Sequence, residues 1–227
     1  MIDKIKRIEL GNRKKRIEKK LISLGIKDTK ITYLPYLDYQ KEDFQNPYEV
    51  GCRLLILQAI AYSVSNLNDR TEIIDWLKYE QIWDKVSERE VDFFTNLSPE
   101  DDELADLSWR IESALVLAWV LNLIDNLPEI DQEDTDEVME IFITKVPEVG
   151  GEIKHFLGSL TFRNFDEVFE ENILNELATT YFRDLRFNGK KDETKINRTI
   201  SFERHNTLNW VRRFSGISEW DETDTST

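Results

Sequence analysis

The sequence predicts an all-α protein, a single globular multi-helix domain of about seven to nine helices, and three observations favour this class. Gly and Pro number only 8 and 5 in 227 residues, roughly half of average usage, so the turns that a many-stranded sandwich or barrel needs are scarce. Signals for helix starts recur along the chain. Between them, apolar residues repeat at spacings of three and four, the period of an amphipathic helix.

Five segments offer a side-chain oxygen to the free N–H groups of a first helical turn and place negative charge at its positive end. The clearest is Asn46-Pro47-Tyr48-Glu49, which also has Pro at the first helical position. The other four segments span residues 69–72, 87–90, 98–101 and 134–137.

In the first half of the chain, a basic helix is predicted over residues 1–24, ending before Gly25. Residues 26–45 look extended or looped, with one short strand or extended segment near 30–34. The next helix, 47–65, is apolar almost all round and is therefore expected to be buried. Shorter helices are predicted over 70–79 and 88–96.

The central helix is predicted over 99–124, because its second half is apolar on every side. Pro147 ends a smaller helix over 135–146. A long helix over 164–187 and a last one over 200–214 complete a single domain spanning residues 1–215. Residues 216–227, here called the acidic tail, are rich in Asp, Glu and Thr and are predicted to be disordered.

Charge is divided unevenly along the chain. Residues 1–21 hold nine basic and three acidic residues, a net charge of +6. The net charge of the whole chain is −15, so the rest of the chain carries −21. A basic protein partner would suit the acidic body. Nucleic acid or an anionic lipid would be contacted only through residues 1–21. The favoured interpretation is instead that this arm docks on the chain's own acidic body or is a solvated helix face.

The remaining features bound the compartment and the chemistry. A single cysteine, Cys52, excludes a disulfide scaffold, and neither a long apolar run nor an apolar leader is present, so a cytoplasmic protein is expected. Phosphate-binding glycine loops and nucleophile motifs are absent. The Glu152-x-x-His155 spacing lacks the second copy that a di-iron bundle needs, so neither a metal nor another cofactor is predicted.

Charged residues lie among apolar ones on two of the predicted helices and form one candidate cluster. In the structural interpretation, which is favoured, Glu112 pairs with Arg204, and Arg110 pairs with Glu203 or with Asp106. In the functional interpretation these groups line a cleft, with an arginine as anion clamp, His205 as acid or base, and tryptophan walls. By itself His205 is typical of a surface histidine. The cluster comprises Trp109, Arg110, Glu112, Trp119, Glu203, Arg204, His205 and Trp210.

Several segments together resemble a known family. They are Leu21–Ile26 with Leu34-Pro35, Arg53–Leu57, Leu107–Trp119 with Ile124–Pro128, and Phe202–Val211. This pattern is similar to domain-of-unknown-function family 4272, a bacterial group of mostly helical proteins. The resemblance implies a helical fold and a bacterial cytoplasmic protein, but it implies no activity and no catalytic residue.

Two functions remain open from the sequence. The favoured one is a non-enzymatic binding or interaction protein with an acidic surface, of the immunity or inhibitor type. The alternative is an enzyme or small-anion-binding protein with a Glu/Arg/His pocket walled by tryptophan.

Overall fold

Ten α-helices occur in the residues that the structure, a computed structural model, describes: 4–27, 29–131 and 136–225. The all-α class is confirmed, and no strand occurs in these residues. The segment near 30–34 is irregular and leads into a 3₁₀ turn. The helices are α1 (Lys4–Ser23), α2 (Pro47–Ser65), α3 (Arg70–Tyr79), α4 (Glu88–Thr95), α5 (Asp101–Ser108), α6 (Arg110–Val120), α7 (Asp136–Lys145), α8 (Lys154–Ser159), α9 (Phe165–Phe187) and α10 (Arg198–Val211).

The predicted central helix, 99–124, is divided at Trp109 into α5 and α6. The Trp109 N–H bonds the carbonyl of Asp106 at 3.3 Å, and its own carbonyl accepts from the Glu112 N–H at 3.0 Å. These are three-residue steps, so the helix tightens there instead of continuing its regular ladder. The second piece ends at Val120, and α8 was not expected from the sequence.

Two of the five predicted start signals form side-chain caps. The Asn46 side chain accepts from the Glu49 N–H at 3.0 Å, and Ser87 forms a capping box with Glu90. Asp69 makes no such cap, and α5 begins after Glu100 without a side-chain bond. The signal at 134–137 begins outside the described residues.

One hydrophobic core runs through the described chain, from α1 to the acidic tail. Helices α2 and α6 pack against each other at its centre; α10 covers α6, α9 covers α10, and α1 lies at the edge against α9. Because α2 and α6 are buried almost throughout, their apolar composition is explained by position.

The basic helix α1 docks on the body. Arg13 is fully buried beside the stacked rings of Tyr39 and Phe169, whose centres lie 5.1 and 5.3 Å from its guanidinium carbon. The same guanidinium donates to the Leu37 carbonyl at 2.6 Å and pairs with Asp166. The favoured interpretation of the arm therefore describes its inner face correctly.

The acidic tail is not disordered over the residues described, which reach Thr225; that prediction was wrong. Trp220 is 7% exposed, and its ring centre lies 5.0 Å from the guanidinium carbon of Arg53. Asp221 accepts a hydrogen bond from the Ser87 hydroxyl at 2.8 Å. Composition indicated a solvated segment, but Trp220 and Asp221 hold it against the body.

Candidate functional site

The predicted cluster does not form one pocket, because its members fall in separate places. Arg110 donates to both Glu203 oxygens, at 2.7 and 3.0 Å, and Ser113 adds a bond at 2.8 Å. Arg110 therefore pairs with Glu203 rather than Asp106. This pair ties α6 to α10. Because Arg110 is engaged by Glu203, it does not serve as an anion clamp in a cleft.

His205 is fully buried, so its interpretation as a surface histidine was wrong, and so was its role as acid or base in the cleft. Its Nδ1 lies 2.8 Å from the Thr179 hydroxyl and its Nε2 lies 3.0 Å from the Asn209 amide. The Thr179 hydroxyl donates to the Glu176 carbonyl, so Nδ1 donates and Nε2 accepts. Burial, reinforced by nearby arginines, lowers the pKa of His205 to about 4.

Trp210 belongs to a different ion pair, here called the Arg53 site. Arg53 Nη1 lies 2.7 Å from both oxygens of Glu90, and Nη2 donates to the Lys85 carbonyl at 2.6 Å. The Trp210 and Trp220 rings lie 6.0 and 5.0 Å from the guanidinium. The sequence interpretation missed this site, although an arginine on the apolar α2 was an available signal.

Glu112 and Arg204 face each other as predicted but do not form a tight pair. Their closest oxygen and nitrogen are 4.0 Å apart, which is too far for a hydrogen bond. The guanidinium donates to the Pro128 carbonyl at 2.8 Å, while its Nε makes no hydrogen bond to any residue described. Arg204 is only 3% exposed. Burial lowers its pKa, opposed by the charges of nearby glutamates.

A cleft of about 500 Å³ opens onto Arg204, and Trp119 forms part of its wall. This volume lies in the range of small-molecule sites. Trp109 packs against the core instead. The cleft is built from α1, α9, α10 and the segment after α6; its lining is Arg16, Ile17, Lys20, Leu24, Trp119, Asp125, Asn126, Leu127, Pro128, Glu129, Ile130, Arg163, Glu167, Glu170, Glu171, Leu174 and Arg204.

Three of the four cations in this lining are engaged by carboxylates of the same lining. Nε of Arg16 donates to Glu170 at 3.0 Å, and Lys20 Nζ donates to Glu171 at 2.6 Å. The third pair joins Arg163 to Glu167 at 3.2 Å across one helical turn. Arg204 is thus the cation of the cleft whose hydrogen-bonding capacity is least used.

Two of these groups are held in place by further contacts. Arg163 stacks over Trp119, 4.7 Å from guanidinium carbon to ring centre, and donates to the Trp119 and Ile124 carbonyls. Burial would raise the pKa of Glu171, but the charges of Lys20 and Arg204 and its hydrogen bonds hold that pKa below the usual value. The wall is therefore charged and rigid.

The remaining lining charges are acidic. Asp125 and Glu129 are exposed residues of the segment after α6. The cleft therefore presents one underused buried cation and two carboxylates. Among the residues described, no group of three or more His, Cys, Asp or Glu side chains is arranged to hold a metal ion.

The fold and the cleft together define an all-helical protein with a small charged cavity beside its first helix. Residues 13–223 match the family described as Domain of unknown function (DUF4272), and the chain belongs to that family. No curated protein matches the chain, and no solved structure does. None of the described helices is both long and apolar enough to cross a membrane.

Proposed function

We propose that the protein is a cytoplasmic binding protein and that its ligand is a small molecule held in the Arg204 cleft. The observation that carries the proposal is the incomplete coordination of a buried arginine at the cleft. A guanidinium has five N–H donors in a fixed fork that suits a carboxylate. A carboxylate reaching Arg204 would take up donors that the protein leaves unused.

The rest of the lining supports a zwitterionic ligand over a multiply charged anion. Each of the three ion pairs in the wall cancels its own charge, so Arg204, Asp125 and Glu129 are the remaining charges of the lining. A polyphosphate would meet these carboxylates and be repelled. A ligand with one carboxylate and one amine would bind Arg204 through the carboxylate and Asp125 or Glu129 through the amine.

A thermal-shift series tests this proposal. The probes are ω-amino carboxylates of increasing length, each beside the same carboxylate without the amine and the same amine without the carboxylate. We expect one amino carboxylate to raise the melting temperature, its amine-free partner to do so less, and the amine alone to have no effect. At a ligand concentration of about ten times Kd, stabilisation is about 1.4 kcal/mol.

Two arginine variants separate binding from folding. Arg204→Met should abolish the shift, whereas Arg53→Met, which removes a buried arginine outside the cleft, should keep it. If no probe shifts the wild-type protein, or if both variants respond alike, the cleft is not the binding site.

A second candidate function is binding of a basic protein partner, of the immunity or inhibitor type. Residues 90–109 contain seven acidic residues and no basic one; Glu90 is buried against Arg53, and the other six are exposed or half-buried. Within them Leu97 is 92% exposed, which provides an apolar contact beside the charge.

A salt-dependent pull-down tests this second candidate. We expect a protein retained at low salt and lost at high salt, because exposed charges are screened. Asp101→Asn with Asp102→Asn should weaken capture, whereas the exposed pair Asp184→Asn with Glu193→Gln should not. Equal capture by the two double variants would contradict an interface on residues 90–109.

A further inference from the structure

Helix α1 has a second face that the docked arrangement leaves uncovered, here called the outer face. From Ile5 onward its residues follow one another at alternating spacings of three and four, and Lys4 precedes Ile8 by four, so they form one stripe along the helix. The three isoleucines are 79%, 56% and 56% exposed in chain order. The outer face comprises Lys4, Ile5, Ile8, Asn12, Lys15, Lys19 and Ile22.

The outer face is basic and contains no carboxylate. None of its lysines forms an ion pair with the residues described, whereas Lys14, on the flank, lies 3.7 Å from Glu18. The opposite face of α1 buries Leu10, Arg13, Ile17 and Leu21. The main contacts of α1 are with α9 and with the 3₁₀ turn at 34–37, so this helix lies at the edge of the molecule.

We propose that the outer face of α1 binds an anionic lipid surface, with the helix lying flat in the headgroup layer. The isoleucines would enter the boundary between headgroups and acyl chains. The lysines, whose alkyl stems are long, would reach the phosphates from the same depth. This inference is independent of the cleft, since none of the outer-face residues lines it.

The composition of the face favours lipid over other partners. Nucleic acid gives exposed isoleucines nothing to bury against. A partner helix seated on this stripe would place Lys15 and Lys19 in the seam, where apolar residues are normal. A second copy using the same face would set lysine against lysine.

The acidic body does not prevent such a contact. A helix with its side chains is about 10 Å across, whereas charges are screened over about 8 Å at physiological ionic strength. Four carboxylates of the body that lie against α1 are paired with cations of this helix outside the outer face: Asp38, Asp166, Glu170 and Glu171. The membrane would therefore meet the outer face as a locally positive surface.

Vesicle co-sedimentation of the full chain tests the proposal. The vesicles are pure phosphatidylcholine, or phosphatidylcholine with phosphatidylserine. We expect the wild-type protein to sediment with the serine-containing vesicles only. Lys15→Glu with Lys19→Glu should lower the partition coefficient at least about tenfold, because each lysine near an anionic surface contributes separately. Ile5→Ser with Ile8→Ser should weaken binding less strongly.

The matched control is Lys190→Glu with Lys191→Glu, which changes the net charge equally at two exposed lysines after α9. It should bind as the wild-type protein does.

Circular dichroism should show all variants folded, since every changed side chain is exposed. No wild-type binding, or equal loss in both lysine variants, would overturn the proposal. Binding of a single-stranded oligonucleotide without vesicle binding would assign the face to nucleic acid instead. Full binding by the isoleucine variant would show that nothing is inserted.

Discussion

Two buried arginines of this protein have the same kinds of neighbour but different geometry. Arg53 has one buried glutamate beside it, Glu90, whereas Arg204 has two, Glu112 and Glu171, and each arginine donates to one backbone carbonyl. At the Arg53 site the nitrogen–oxygen distance to Glu90 is 2.7 Å, whereas Arg204 and Glu112 are 4.0 Å apart. Tryptophan rings cover the first guanidinium; a cleft adjoins the second.

The use of the guanidinium donors distinguishes a structural ion pair from a binding site. A guanidinium whose donors meet acceptors at hydrogen-bond distance has little left to offer a ligand. A guanidinium that is equally buried but has unused donors retains an uncompensated desolvation cost. A ligand that accepts hydrogen bonds from those donors removes this cost. We therefore expect loss of Arg53 to reduce mainly stability and loss of Arg204 to reduce mainly ligand binding.

The largest expected effect is at the Arg53 site. Arg53→Met would leave Glu90 buried without its counter-charge and would lower the free energy of unfolding by about 4 kcal/mol. Urea denaturation followed by circular dichroism measures this loss. A loss no larger than that of Arg204→Met would break the comparison.

The pH dependence of stability tests whether His205, the residue after Arg204 on α10, is sealed from solvent as the Arg53 site is. The pKa of His205 is about 4 in the fold against 6.5 ordinarily, so the unfolded chain binds the extra proton between these values. Stability should be complete above pH 6.5 and fall by about 3 kcal/mol as pH drops to 4. His205→Gln should lose this part of the slope; an unchanged slope would show that His205 is accessible.

Arg204→Met should cost less than Arg53→Met, about 2 kcal/mol, because the pair it breaks lacks a hydrogen bond and part of the guanidinium desolvation cost disappears with it. The same urea titration measures the loss. A cost of 4 kcal/mol or more, on the scale of a closed buried pair, would mean that Arg204 is as structural as Arg53.

The smallest effect concerns the cover of the Arg53 site. Trp220→Leu keeps an apolar side chain but removes the ring over Arg53, and should cost between about 1 and 2 kcal/mol. Thermal denaturation, with Phe187→Leu at an exposed position as control, measures it. A neutral result would mean that the acidic tail does not stabilise the arginine.

Much of the fold could be predicted from the sequence because the signals are local. The caps at Asn46 and Ser87, and the apolar length of α2, depend on residues within a few positions. The division of the helix at Trp109 could not be predicted, since the residues around it have ordinary helical spacing. The acidic tail was misjudged because the burial of Trp220 and the hydrogen bonds of Asp221 outweigh its polar composition.

The candidate site was predicted in part for the same reason. Spacing placed Glu112 and Arg204 among apolar residues, and the structure brings them face to face. It could not show which pairs close: Arg110 meets Glu203, while Arg204 is left short of acceptors. The carboxylates and cations supplied by α1 and α9 are far away in sequence, so the cleft had no local signature.

The most direct test of the account is isothermal titration of the amino carboxylate that stabilises the wild-type protein most. It is titrated into the wild-type, Arg204→Met and Arg53→Met proteins, at a temperature where all three are folded. We expect binding by the wild-type and Arg53→Met proteins and none by Arg204→Met. Equal binding by all three would contradict this expectation.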